Sequence, residues 1–333
     1  MKFITLTVNP CVDLSYYPEK SLVLGALNRV TQSIKTPGGK GINVTRALIS
    51  LGERDENNVA LYFAGHPERD EISSVFHRLC SGIDFASFSP ILYADPDKRM
   101  RTCIKIFSPE GEITEINEAG SPISEDDLIR LIGALTDLIA LGEPTVLILC
   151  GSIPQDVEIP VYNLVINLMK SCGVTCVLDS SGEPLKQGLK ASPDLIKPNL
   201  EELSALAGRA LEDGIEAVEF CKELFHRYDC EVLLTNGGKG AYFIGREGVF
   251  QSVPKGDVHS LSTGSVGCGD LFLASFVHSY YALSKGAQSS LESAGARASY
   301  MAFSNAKEGG VAIPDFKSGD ICLADYVTVY RLE

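Results

Sequence analysis

The spacing of apolar positions separates this chain into an irregular first third and a regular remainder. Phe3-Ile4-Thr5-Leu6-Thr7-Val8 reads as a strand that stops at the turn pair Asn9-Pro10. Residues 59–64 read as a second strand and 68–80 as a helix. Between Ile91 and Ile116 the period shortens to two, with strands over 99–107 and 112–116 split by the turn Ser108-Pro109-Glu110-Gly111. From Ser124 the rhythm becomes regular. A helix over 124–140 precedes a strand over 145–150, a helix over 158–171 precedes one over 174–178, and a helix over 214–227 precedes one over 232–235. Two packed helices over 271–283 and 291–303 and a β-rich run over 326–330 complete the pattern.

Each of the regular strands ends in a loop of small or polar residues: Gly151-Ser152-Ile153-Pro154, Asp179-Ser180-Ser181-Gly182 and Asn236-Gly237-Gly238-Lys239-Gly240. Alternation of this kind predicts an α/β fold with a mostly parallel sheet, helices on both faces and a ligand cleft along the strand ends. The hairpin near residue 108 breaks that rhythm and predicts a small β-sheet lid. We therefore expect one α/β domain over 1–333, with lid strands inserted at about 12–36 and 91–117.

Composition narrows the partners. The 333 residues are 45% hydrophobic and 22% charged, an ordinary globular make-up. With 29 Lys+Arg against 43 Asp+Glu the net charge is −14, which disfavours nucleic acid and anionic membrane surfaces. An anionic ligand then needs a local cluster of cations and amides. No apolar run reaches membrane-spanning length and the N-terminus lacks a signal-peptide layout, so a cytoplasmic location is expected. The ten cysteines are scattered, most of them inside apolar runs, and read as small core residues. Cys172 and Cys176 are the one near pair, a weak metal or redox signal.

Two Gly-rich loops open helices. The first, Thr36-Pro37-Gly38-Gly39-Lys40-Gly41-Ile42-Asn43-Val44, precedes Val44, Ala47, Leu48 and Leu51 at helical spacing. It matches neither the Walker spacing nor the dinucleotide fingerprint, and its glycines let a ligand approach the backbone. The second, Gly264-Ser265-Val266-Gly267-Cys268-Gly269-Asp270, runs into Leu271-Phe272-Leu273-Ala274-Ser275-Phe276. A helix start of this kind suits an oxyanion. Taken alone, Asp270 is equally a helix cap or a general base beside that anion. Asp13, just beyond the first strand, is a ligand contact or an Asx-turn residue. Arg101 and Lys105 share one strand face.

In order and spacing these pieces resemble the ribokinase-like (PfkB) sugar kinases over nearly the whole chain. Within that family the likeness is greatest to bacterial 1-phosphofructokinases and tagatose-6-phosphate kinases. It is carried by Leu6-Thr7-Val8-Asn9-Pro10 with Asp13, Gly38 to Val44, Gly151 to Pro154, Asp179-Ser180-Ser181, Lys197-Pro198-Asn199 with Glu202, and Gly267-Cys268-Gly269-Asp270. One short Gly motif is weak; six in order are specific.

The resemblance implies a three-layer α/β/α sandwich with a β-sheet lid, and ATP- and Mg²⁺-dependent phosphorylation of a ketohexose phosphate. Fructose 1-phosphate is the first expectation and tagatose 6-phosphate the alternative. It makes Asp270 the base and the amides of Gly267, Cys268 and Gly269 the anion hole. Asp13, Gly38, Gly39 and Asn43 would hold sugar hydroxyls, Arg29, Lys40 and Arg101 would meet the sugar phosphate, and Ser152 would contact the phosphate or a hydroxyl. Lys197, Asn199, Thr235, Gly237, Gly240 and Asn305 fall on the ATP side, and Glu202 meets Mg²⁺ through water. A homodimer through the lid is a further implication. Two departures stand out: Cys268 replaces the family's usual Ala, raising the question of a reactive thiol at a helix start, and Met100 precedes Arg101 where relatives often carry Thr. A nucleoside kinase, a dinucleotide-dependent dehydrogenase and a silent sugar-phosphate sensor fit the cations, the loop spacing and the intact acidic residues less well.

Overall fold

The computed structural model describes residues 1–53, 57–83, 87–139, 143–212, 214–255, 267–282, 290–307 and 323–332. In chain order the first elements are β1 (Lys2–Thr7), β2 (Cys11–Pro18), β3 (Val30–Gly38), α1 (Lys40–Ser50), β4 (Asn58–Ala64), α2 (Glu71–Cys80) and β5 (Ser87–Leu92). Next come β6 (Arg101–Phe107), β7 (Ile113–Asn117), α3 (Glu125–Leu138), β8 (Thr145–Cys150), α4 (Val161–Ser171), β9 (Thr175–Asp179), α5 (Gly182–Leu189), β10 (Leu195–Ile196) and α6 (Leu200–Ala207). The last are α7 (Ile215–Tyr228), β11 (Glu231–Thr235), β12 (Ala241–Gly245), β13 (Gly248–Pro254), α8 (Cys268–Val277), α9 (Leu291–Lys307) and β14 (Val327–Leu332).

Ten of these strands form one sheet in the order β14-β13-β12-β11-β10-β9-β8-β1-β4-β5. From β11 to β5 every neighbour is parallel, and β12, β13 and β14 add an antiparallel edge. The chain leaves β1 toward β4 and β5 on one side and returns through β8 and β9 on the other, so strand order reverses between β1 and β8. A cleft opens at such a reversal, beyond the carboxyl ends of the strands.

Both faces of the sheet are covered, which is why β1 and β8 are apolar along their length rather than alternating. Ile4, Leu6, Leu147 and Leu149 pack into the core beneath α3 to α7. Phe3, Val146 and Ile148 face α1, α8 and α9. Thr5 breaks the apolar run without cost to the core, because its hydroxyl meets Thr45 on α1 at 2.7 Å. The start of α8 is solvent-side but its next seven residues, Leu271 to Val277, are all buried, so this helix has no polar face.

A second sheet, in the order β3-β2-β6-β7, is built from the two insertions. Its central pair β2 and β6 is parallel, flanked by antiparallel β3 and β7. Ile91 and Leu92, expected in the lid, belong instead to β5 and pair with Phe63 and Ala64 of the large sheet. The apolar pattern did not single out β12 and β13; the run Ala241 to Ile244 is too short for periodicity to identify. The helix expected over 271–283 begins earlier, at Cys268, and widens at His278–Ala282 into one π turn.

No helix among the described residues is long and apolar enough to cross a membrane. Among the described residues the cysteines form no disulfide, and all but Cys172 and Cys268 are buried. Cys172 is exposed while Cys176 lies inside β9.

Candidate active site

The ends of β8, β9 and β1 meet the first turns of α1 and α8 at the reversal point. β9 ends on Asp179, whose side chain is fully buried between two ammonium groups, Lys40 Nζ at 3.1 Å and Lys197 Nζ at 3.3 Å. Burial pushes this carboxyl up, but the two lysines outweigh it and hold Asp179 below the ordinary carboxylate range. The same contact raises Lys40, chiefly through Asp179 and against burial, with Glu202 and Asp270 adding to it. Lys40 opens α1 directly after Gly39, which sits at φ 120°, a backbone conformation that glycine adopts without strain.

Asp270 stands on the third residue of α8. The cap of that helix is Gly267, in the left-handed conformation at φ 79°, with no side chain bonded to the first turn. Asp270 is therefore not the helix cap. Its carboxylate instead accepts from Asn43 Nδ2 at 2.8 Å. Burial first, and then the charge of Asp179, push Asp270 up to about 6; Lys40, Asn43 and Lys197 oppose them. A carboxyl in that range is poised between proton acceptor and donor near neutral pH. Lys197 Nζ lies 3.8 Å from where a Cβ on Gly269 would be, so an ammonium and the N-terminus of α8 flank one spot. Positive partial charge from the helix start and the full charge of Lys197 both favour an anion there. Gly264, Ser265 and Val266, the beginning of the loop, lie outside the described residues.

Cys268 does not behave as the reactive thiol its helix-start position suggests. Burial raises its pKa, and neighbouring Asp270 adds to this against a hydrogen bond that Asn305 Nδ2 donates to Sγ at 3.5 Å. Desolvation and a nearby carboxylate outweigh the helix dipole, and the thiol stays protonated. Asn305 is buried on α9, and its Oδ1 has no partner among the described residues.

Asn199 and Glu202 open α6 with a capping box. Asn199 Oδ1 accepts from the Glu202 amide at 2.7 Å, and Glu202 Oε2 accepts from the Asn199 amide at 2.9 Å. This leaves Glu202 Oε1 pointing toward Lys40 Nζ at 3.9 Å, beyond direct hydrogen-bond range. A carboxylate oxygen left over from the capping box is the kind of donor that suits hydrated Mg²⁺, which keeps several waters and takes few protein ligands. Thr235 pairs with Asn199 in an isolated parallel bridge, so the end of β11 lies beside this helix start. The loop that follows turns through Gly237 at φ 51° and Gly240 at φ 105°. A Cβ at Gly240 would run into the Ser252 carbonyl.

On the small sheet, Asp13 of β2 accepts from Lys105 Nζ at 3.3 Å. Gly38 backs this carboxylate so closely that a Cβ would sit 2.6 Å from it. Arg101 donates to the Asn9 carbonyl from Nε at 3.3 Å and Nη2 at 3.0 Å, and to the Glu118 carbonyl at 3.0 Å. Asn9 Nδ2 in turn reaches Ser152 Oγ at 3.4 Å. Arg29 is exposed on the segment before β3. The cation trio of Arg29, Lys40 and Arg101 thus has separate partners: Lys40 turns to Asp179, Arg101 to backbone carbonyls.

Three residues gained weight only with the structure. Asp179 was legible as part of a motif but not as the hub for two lysines; a strand-end aspartate was its only signal. Lys105 shares a strand face with Arg101, yet its partner Asp13 is 92 residues away. Asn9 read as a turn residue and joins Arg101 to Ser152.

A sequence profile of the pfkB family carbohydrate kinases matches residues 6–316. A 1-phosphofructokinase of Bacillus subtilis is 33% identical over 274 residues, spanning 82% of this chain and 84% of that protein. A 1-phosphofructokinase of Haemophilus influenzae is 31% identical over 279 residues, 83% of each. Among solved structures, a possible 1-phosphofructokinase from Thermotoga maritima superposes with a TM-score of 0.80 over the whole of both chains at 22% identity.

Proposed function

The chain belongs to the pfkB family of carbohydrate kinases, with its ribokinase-like fold and its phosphotransferase chemistry on a sugar alcohol group, and from that premise we propose that it phosphorylates fructose 1-phosphate to fructose 1,6-bisphosphate with ATP. The observation that carries the chemistry is the placement of Asp270. It is buried, held by Asn43, raised to about 6, and set at the start of a helix whose first amides have no side-chain cap. The observation that favours this acceptor is the likeness to two proteins named 1-phosphofructokinase.

In this reading Asp270 takes the proton from the acceptor hydroxyl as that oxygen attacks the γ-phosphorus of ATP. The proton comes to rest on the carboxyl, and ADP leaves. The amides of Gly267, Cys268 and Gly269 meet the oxygens of the transferring group, with Lys197 beside them; preorganised donors of this kind supply most of the stabilisation phosphoryl transfer needs. Lys40, paired with Asp179 and near Glu202, balances charge at the same point. Asn43 orients the base. Asp13 and the backbone at Gly38 and Gly39 hold sugar hydroxyls. Arg101, Arg29 and Ser152 are the groups for the sugar's own phosphate.

Asn199, Thr235, Gly237, Gly240 and Asn305 line the nucleotide side. Glu202 would hold Mg²⁺ through water, and the ion would neutralise phosphate charge. The small sheet closes over the sugar and keeps water from the phosphoryl group. Its outer strand β3 leaves Val30 46% and Ile34 37% exposed, an open edge through which two copies pair as a homodimer.

Coupled ADP release across a panel of ketohexose phosphates tests the acceptor. The highest kcat/KM is expected on fructose 1-phosphate; a higher value on tagatose 6-phosphate replaces this reading with the alternative.

A further inference from the structure

The small sheet carries a side-chain cluster for which phosphoryl transfer gives no role. Cys11 and Asp13 stand two apart on β2 and share a face, and Cys103 is paired with Asp13 across to β6. The two sulfurs and one carboxylate oxygen all lie within 4.8 Å of one another. Cys11 Sγ is 3.4 Å from Asp13 Oδ1. Both cysteines are buried, at 3% and 5% exposure.

We propose that Cys11, Asp13 and Cys103 form a site for a thiophilic divalent cation of the zinc class, and that filling it withdraws Asp13 from the acceptor sugar. The second half rests on the reading of Asp13 as a sugar ligand. Two thiolates and a carboxylate are the donor set of a tetrahedral zinc centre with its fourth position open to water. Magnesium, a hard ion, prefers oxygen donors such as Glu202, so softness separates the two cations.

The geometry is close to what such an ion needs. Bonds of about 2.0–2.3 Å hold tetrahedral ligands roughly 3.3–3.8 Å apart, so from the observed limit of 4.8 Å the side chains close by at most about 1.0–1.5 Å. Gly38 leaves room behind them: a Cβ there would lie 2.6 Å from the Asp13 carboxylate and 2.8 Å from Cys11 Sγ. Asp13 presents Oδ1 to Cys11, while Oδ2 is held by Lys105 at 3.3 Å. Lys105 is thus an outer partner that orients the ligating carboxylate. Two thiolates, a carboxylate and a divalent ion sum to one negative charge, and Lys105 offsets it. Binding displaces both thiol protons to solvent.

Cadmium alone, titrated into the reduced protein carrying Cys172→Ser to remove the one fully exposed thiol among the described residues, is expected to give an ultraviolet thiolate-to-metal band that saturates at one equivalent. The cadmium NMR shift should report two sulfur ligands. Cys11→Ser and Cys103→Ser should each weaken binding at least tenfold, and Zn²⁺ should inhibit competitively with the sugar phosphate but not with ATP. No band, or a band unchanged in the Cys11→Ser/Cys103→Ser protein, overturns the site. Because the NMR shift is read without altering either ligand, a serine variant that fails to fold leaves the test intact. A cysteine-dependent band with inhibition that saturating sugar phosphate does not relieve upholds the metal site and overturns the assignment of Asp13 to the sugar.

Discussion

Asn43 Nδ2 donates to Asp270 Oδ2 at 2.8 Å, joining the first turn of α1 to the first turn of α8 across 227 residues of sequence. Asn43 stabilises the charged form of a carboxylate that burial and Asp179 push the other way. Removing the amide removes one of the few influences that lower this pKa. In Asn43→Ala the acidic limb of the kcat/KM profile should therefore move up by roughly one to two pH units, the shift that a charged hydrogen bond of about 1.5–3 kcal/mol supports. An unmoved limb would mean that another group sets the profile.

Asp270 must be ionised to accept a proton. Because its pKa is raised to about 6, the wild-type rate should climb as pH rises through about 6 and level off above it. Asp270→Asn should lower kcat by at least the roughly 10²–10⁴ of general-base catalysis while leaving sugar-phosphate affinity, read by calorimetry, close to wild type. Full turnover in that variant sinks the mechanism.

Glu202 serves both its helix and, in our reading, the metal. Glutamine keeps the capping arrangement, since its carbonyl oxygen can accept from the Asn199 amide. Glu202→Gln should accordingly melt within a degree or two of wild type yet need severalfold more Mg²⁺ for half-maximal rate. A fall in Tm with an unchanged Mg²⁺ requirement would make Glu202 a cap and nothing more.

Lys197 and Asp179 form a pair almost without solvent contact, at 5% and 0% side-chain exposure. Lys197→Met leaves Asp179 with Lys40 alone, and breaking such a buried pair costs about 3–5 kcal/mol. Urea denaturation should show a loss of that order. Asp179→Asn combined with Lys197→Met should recover part of it, because no buried carboxylate then remains and Lys40, 37% exposed, keeps water and Glu202 at 3.9 Å. A double variant no more stable than the single one would show that Lys197 contributes by packing.

The layered α/β architecture was legible because its signals are local. A strand buried on both faces must be largely apolar along its length, as β8 is from Val146 to Cys150, and each crossover helix must show one apolar stripe, as α4 does. The loops that end those strands, and the motif order that identifies the family, were equally readable. β12 and β13 were not, since a four-residue apolar run bounded by glycine has the same pattern as many other short segments.

The candidate site divides the same way. Sequence by itself singled out the residues that our reading assigns to the chemistry: Asp270, Asn43, Lys40, Lys197, Asn199 and Glu202 all lie in motifs whose residue types suit phosphoryl transfer. It left Asp270 balanced between cap and base, because a helix start looks the same in either case. Tertiary structure decided that Gly267 is the cap, that Asp179 joins Lys40 to Lys197, and that Cys11, Asp13 and Cys103 converge. Those are contacts between residues far apart in the chain, set by which strands pair and how α1 packs on α8. Charge and burial act through space, and no spacing along a sequence encodes the distance between two strands until the sheet has formed.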